Sequence, residues 1–227
     1  MFRRPLDHRS QGLPQACRQD DLSGPTHGQG VDLGRAFLWA LWLFLPCYCA
    51  NMVPVAAARL WPRWSAPLDG GALARDGKRL LGPNKTWRGL TAGIVTGALV
   101  TVILGAFAAG LWAPLDFGRS SGAAWWQVAA FGGALGIGAL AGDAAKSYFK
   151  RRTGRDSGAA WFPWDQLDFV VGGLALAAVA SPLLGGWAIP AYFGDAVVLA
   201  TLVVMTPALH FASSVLAYWG GLKKVPW

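Results

Sequence analysis

The 227-residue sequence contains no glutamate, so all 12 of its acidic residues are aspartates. Charge of either sign is scarce, at 14% of residues against 54% hydrophobic, which excludes an ordinary soluble domain, where about a quarter of residues are charged. Only three cysteines occur. Cys17 stands in a polar N-terminal stretch and Cys47 and Cys49 in an apolar run, which excludes a disulfide framework or a four-ligand zinc site and leaves packing as their role. No HExxH pair accompanies His210, which follows Pro207 in the last apolar run and is expected to make an interhelical hydrogen bond. A Walker A loop is also missing, because Lys85 and Thr86 are adjacent without the preceding GxxxxG. No apolar h-region directly follows the basic N-terminus, which excludes a signal-peptide pattern.

What is abundant is apolar length. Five stretches reach the roughly 20 residues a membrane helix needs: Phe37 to Ala58, Leu90 to Ala113, Ala123 to Ala141, Phe169 to Ile189 and Ala196 to Trp219. The fold class expected is an all-α integral membrane protein of about five transmembrane helices with two basic loops. Asp143, Asp168 and Asp195 fall at span boundaries, where an ionised carboxylate costs far less than at mid-bilayer. Seven cations lie between Arg59 and Arg88 and five between Lys146 and Arg155, with Lys223 and Lys224 in the tail, whereas the alternate connections hold only Arg119. Both rich loops and the C-terminus are therefore expected in the cytoplasm and the N-terminus outside. Residues 1–35, polar and rich in Gly, Gln and Pro, are expected to be a disordered tail, with residues 36–227 forming the catalytic domain. Val31, just before the first span, is a possible true initiator, which N-terminal sequencing of the native protein would decide.

Small residues and aromatics account for much of the rest. Gly93 and Gly97, Gly132 and Gly136, and Gly138 and Gly142 each share a helix face and predict close helix approach. Trp112, Trp125, Trp126, Trp187 and Trp219 fall at span ends, where indoles anchor. Pro46, Pro54, Pro182 and Pro207 lie within the apolar runs and should kink them.

Chemistry falls to the two basic loops. In the first, APLDGGALARDGKRLLGPNKTWRG, glycines and Pro83 turn the chain into the second span, and Asn84, Lys85, Thr86 and Arg88 offer a phosphate seat at a helix start. The bland alternative is a positive-inside flank touching headgroups. In the second, GDAAKSYFKRR, a continuing helix would place Asp143, Lys146, Ser147 and Lys150 on one stripe. Downstream, FPWDQLDF sets Asp165 and Asp168 on one face at a helix entry that Pro163 suits. Three aspartates among lysines and arginines fit a hard divalent cation bridging phosphates, and magnesium takes such oxygen ligands.

The succession LPCYCANMVPV, PLDGG, DGKRLLGPNKTWRG, GDAAKSYFKRR and WDQLDF resembles the CDP-archaeol synthase family, itself distantly similar to the phosphatidate cytidylyltransferases. The resemblance covers about residue 37 to the C-terminus. It implies a five-helix membrane fold with a polar cavity open to the cytoplasm, Mg2+ dependence, and transfer of CMP from CTP to a lipid phosphate with release of pyrophosphate. The PGHGG-type segment of the larger phosphatidate enzymes is absent. Carried over by position, Asp143, Asp165 and Asp168 become the metal and catalytic carboxylates, with Lys146 beside them. Lys146, Lys150, Arg151 and Arg152 become the triphosphate cations, joined by Ser147. Asn84, Lys85, Thr86 and Arg88 form part of the phosphate-binding mouth, and Asn51, Asp69, Asp76 and Gln166 are further candidates. A small transporter of an anionic phosphorylated metabolite and a non-catalytic scaffold binding anionic lipid are the competing classes. The first would put polar groups at the midplane in repeated halves, and the second leaves the three aspartates unexplained. Nucleic acid is not expected as a partner, because the +8 charge is concentrated at membrane boundaries.

Overall fold

The computed structural model describes residues 32–108, 115–117, 119, 122–155, 161–184 and 195–219. Residues 1–31 of the expected tail with Cys17, the indoles Trp112 and Trp187, the expected end of the fourth span at Ile189, and Lys223 and Lys224 lie outside the described residues, whereas residues 32–35, expected in the tail, cap and open the first helix. Five helices follow in order: α1 (Leu33–Leu60), α2 (Trp87–Ala108), α3 (Trp125–Arg152), α4 (Trp164–Leu183) and α5 (Ala196–Trp219). The protein is an all-helical integral membrane protein. Four of the helices are long and apolar enough to cross a membrane, and the described apolar part of α5, Ala196–Ala212, is shorter.

Aspartates and a threonine start several of these helices by accepting the first free N–H groups. Asp32 accepts from Arg35 N at 3.0 Å, Asp195 from Val197 N at 2.8 Å and Val198 N at 3.2 Å, and Thr86 Oγ1 from Gly89 N at 3.2 Å. The boundary position of Asp195 is thus a cap. All four expected prolines lie inside helices.

Helix α3 is the axis of the bundle, packed most extensively on α4 and α2, with α1 against α2 and α5 against α1. Phe44, Cys47, Phe131, Leu135 and Val170 are buried between the helices. Cys47 has the packing role expected of it, its thiol donating to Leu135 O at 3.6 Å. Glycines set the two seams of α3. A Cβ on Gly136 would stand 2.6 Å from Gly93 O, and one on Gly132 2.5 Å from Gly97 O, so α2 and α3 touch backbone to backbone. On the other face, Gly138 meets the Gly172 carbonyl and Gly142 the Asp168 carbonyl, so α3 and α4 are equally close where both turn polar.

Helix boundaries differ from the apolar runs in one informative way. Helix α3 continues past Ala141 to Arg152, and α4 begins at Trp164 rather than Phe169. Both polar segments are therefore helical, and their side chains have fixed directions.

The segment between α1 and α2 folds back on itself through isolated bridges pairing Pro67 with Thr86 and Leu73 with Arg79. Asp69 is its hub. Its carboxylate accepts from Gly71 N (3.0 Å), Leu81 N (3.1 Å), Gly82 N (3.4 Å) and Arg79 Nη2 (2.8 Å). Gly70, Gly71, Gly77 and Gly82 hold positive φ there, which side chains with a Cβ rarely adopt.

Candidate active site

Close contact between Gly142 and the Asp168 backbone brings the polar ends of α3 and α4 together. Lys146 sits at the meeting point. Its Nζ lies 3.2 Å from Asp143 Oδ1, 3.2 Å from Asp165 Oδ1 and 2.7 Å from Asp168 Oδ2. Lys150, one turn on, is 3.4 Å from the same Asp165 oxygen, and Lys85, arriving from the α1–α2 loop, bonds Asp143 Oδ2. The side chain of Asp168 is 5% exposed and those of Lys146 and Lys150 are 15% and 9%, so this is a largely desolvated cluster. Further donors fix the acids: Trp161 N reaches Asp165 Oδ2 at 2.6 Å and Phe169 N reaches Asp168 Oδ1 at 2.7 Å.

The expected convergence of Asp143, Asp165 and Asp168 is therefore present, with an ammonium at its centre. Among the described residues no group of three or more acidic, histidine or cysteine side chains is set as a ready metal cage. The N–O spacings of 2.7–3.2 Å suit an ammonium, whereas magnesium takes oxygens at about 2.0–2.1 Å. Three carboxylates from two helices are oxygen donors of the kind a hard cation takes, and the point they face is held by the Lys146 ammonium.

The remaining expected residues divide. Asn84, Lys85, Thr86 and Arg88 line a cavity of about 630 Å³ between α1, the α1–α2 loop and α2, into which Asp143 also faces. Thr86 is at the same time the α2 cap, and Arg88, 8% exposed, donates from Nη1 to Trp61 O at 2.6 Å. Asn51 lines this cavity too. Arg152 turns away toward the loop and grips both oxygens of Asp76 at 3.0 and 2.9 Å, while Lys78 Nζ donates to Arg151 O at 3.2 Å. Arg151 itself lies against Gly82. Asp69 is occupied within the loop, and Gln166 makes no hydrogen bond to the cluster among the described residues. Ser147 follows Asp143 by one helical turn but forms none of the cluster's ion pairs.

Loop electrostatics reinforce its shape. Burial pushes the Asp69 carboxyl upward, but the N–H groups of Gly71 and Leu81, the Arg79 guanidinium and the Gly82 N–H override it and bring it down to about 2. Asp76 is also held below its ordinary value, chiefly by the Lys78 N–H, with the Arg152 and Lys78 charges adding to it.

Sequence reasoning passed over Arg59 and Ser65, which line the cavity. Arg59 carried a usable signal, as a cation in the last turn of an otherwise apolar helix; Ser65 carried none.

A family model described as CarS-like, CDP-archaeol synthase, matches residues 33–227. The chain is 40% identical over 200 residues to the CDP-archaeol synthase of Halobacterium salinarum, covering 87% of this chain and 100% of that protein. It is 33% identical over 192 residues to that of Thermococcus kodakarensis, covering 85% and 97%. A solved structure, described as "Structural insight into an intramembrane enzyme for archaeal membrane lipids biosynthesis", matches with a TM-score of 0.52 and 34% identity, over 77% of this chain and 94% of that one.

Proposed function

The chain belongs to the CDP-archaeol synthase family, and we propose that it transfers CMP from CTP to a lipid phosphate at the Lys146 cluster, releasing pyrophosphate. The observation that carries this reading is the desolvated set of three aspartates and three lysines at one end of the bundle, adjoining an open cavity. A midplane carrier site or a purely basic anchor would not assemble it.

In the reaction, an oxygen of the lipid phosphate attacks the α-phosphorus of CTP, and the bond from that phosphorus to the oxygen bridging to the β-phosphate breaks. A phosphate monoester has a second pKa near 6 and is already a nucleophile at neutral pH, so no dedicated general base is needed. The protein's task is to hold two polyanions in line and to offset their repulsion. Lys85, Lys146 and Lys150 supply positive charge along the cluster, and Arg151 extends it at the end of α3. Asp143, Asp165 and Asp168 would hold Mg2+, which when bound neutralises phosphate charge and polarises the α-phosphoryl group. Those same carboxylates orient Lys146 and Lys150 toward the reaction centre.

The sidedness follows from charge: the loops around residues 59–88 and 146–155 and the C-terminus face the cytoplasm, where CTP is found, and the N-terminus faces out. Release of labelled pyrophosphate from γ-labelled CTP, separated directly from the nucleotide, should require both a lipid phosphate and Mg2+ and should stop on chelation. Release without any lipid phosphate, or undiminished by chelator, would count against the assignment.

A further inference from the structure

Lys85 reaches Asp143 from the end of the long connection between α1 and α2, on a flexible stem that does not by itself fix the direction of the ammonium. What aims it must act at its backbone. Helix α2 does not, because its first backbone acceptor is the carbonyl of Thr86, which takes the Leu90 N–H at 3.0 Å. Lys85 therefore stands one residue outside the helical ladder, and both of its backbone polar groups are bonded within the loop instead. Its N–H donates to Gly82 O at 3.3 Å, and its carbonyl accepts from Leu68 N at 2.8 Å.

Both of those partners belong to the frame around Asp69. Leu68 precedes it in the chain, and the Gly82 N–H donates to its Oδ2 at 3.4 Å, beside the Leu81 N–H at 3.1 Å. Its other oxygen accepts from Gly71 N at 3.0 Å and from Arg79 Nη2 at 2.8 Å. These last two bonds close the turn in which Ala72 O accepts from Leu80 N (3.0 Å) and Lys78 O from Ala74 N (2.9 Å). The Asp69 side chain is 1% exposed, and its bonds go to the loop rather than to the Lys146 cluster. A carboxylate so far from water stays ionised only where donors fill its lone pairs, and here those donors tie Gly71, Arg79, Leu81 and Gly82 to one point. That point adjoins the two peptides that hold Lys85.

We propose that Asp69 is the positioning residue for Lys85: its carboxylate fixes the Leu68 and Gly82 peptides, and these set the backbone from which the Lys85 ammonium reaches Asp143. Asp69 bonds no member of the cluster and acts through Lys85. Only the kinetic consequence rests on the cytidylyltransferase reading above, since the placing of Lys85 is a property of the chain itself. Asp69→Asn turns one acceptor oxygen into an NH2 group facing N–H donors, so the frame loosens and Lys85 loses its direction.

The test is amine acylation of the purified full chain in detergent, with N-hydroxysuccinimidyl acetate as the probe and each modified lysine quantified by peptide mass spectrometry. The parent, Asp69→Asn and Arg79→Met are compared. In the parent, Lys85 and Lys146 are both ion-paired and largely buried and react slowly. The expected result in Asp69→Asn is a rise in Lys85 reactivity of about tenfold, with Lys146 within about twofold of the parent. Arg79→Met leaves the backbone donors in place and gives a smaller rise, again confined to Lys85. The kcat/KM for CMP transfer falls in the same order as Lys85 is exposed. An equal rise of both lysines in both variants would mean a general loosening and would overturn the positioning role. Unchanged Lys85 reactivity, or an exposed Lys85 with unchanged kcat/KM, would overturn it too. A parent that transfers no CMP to any lipid phosphate would instead sink the cytidylyltransferase reading, and the reactivity of Lys85 would still decide the frame.

Discussion

Lys146 stands where three carboxylates meet, so replacing it does more than remove a positive charge. Lys146→Met leaves Asp143, Asp165 and Asp168 facing one another in a largely desolvated site, a change of about 3–5 kcal/mol by analogy with broken buried ion pairs. The expected outcome is a clear fall in the melting temperature of the detergent-solubilised protein, partly restored by adding Asp168→Asn, with activity restored in neither. Asp168→Asn alone should keep most of the stability and lose about a thousandfold in turnover, roughly 4 kcal/mol of transition-state stabilisation. Asp143, Lys146 and Lys150 were legible as a unit because helical spacing alone puts them on one face. The partner of Arg152 was not: it is Asp76, 76 residues earlier, and no local periodicity connects the two. Hence a residue that reads as a triphosphate cation in the sequence is engaged with the α1–α2 loop.

At the level of elements, two devices hold the site in shape. The first is the glycine seam of α3. Gly142→Val would drive a branched side chain into the Asp168 carbonyl, separate α3 from α4 and abolish activity, whereas Gly133→Ala, whose Cβ would meet only Ile94 Cγ2 at 3.6 Å, would tell whether any glycine loss in α3 has this effect. Measured turnover should fall by more than a hundredfold in the first and remain within a few-fold in the second. The glycine spacing was readable as packing, but which carbonyl each glycine meets depends on how two helices align, which the sequence does not encode locally. The second device is the loop, which carries Lys85 to Asp143. Asp76→Arg should detach it from Arg152 and lower kcat/KM, and the reversed pair Asp76→Arg with Arg152→Asp should recover a substantial part. Asp69 gives the loop a pH dependence of definite sign. Its folded-state value, about 2, lies below its ordinary 3.8, so its contribution is complete above about pH 4 and is lost as pH falls through 2. Hydrogen exchange of Leu81 and Gly82 should therefore stay slow at pH 5 in the parent and become fast at that pH in Asp69→Ala, which strands those donors.

On the scale of the whole molecule, the proposed reaction brings a water-soluble triphosphate to a membrane bundle. Apolar length predicted the helices, and charge asymmetry placed the chemistry at one end of them. The polar extensions of α3 and α4 beyond the apolar runs put that chemistry on rigid walls instead of loose loops. The cavity was the part least legible, since Asn51 and Arg59 of α1, Lys85 of the loop and Leu140 of α3 become neighbours only after the bundle closes. The central claim is that the group transferred is CMP. Purified protein given a lipid phosphate, Mg2+ and CTP labelled at either the α- or the γ-phosphorus tests it most directly. The account predicts label in the extracted lipid from α-labelled CTP and none from γ-labelled CTP. Lipid labelled from the γ position, or unlabelled from both, would contradict it.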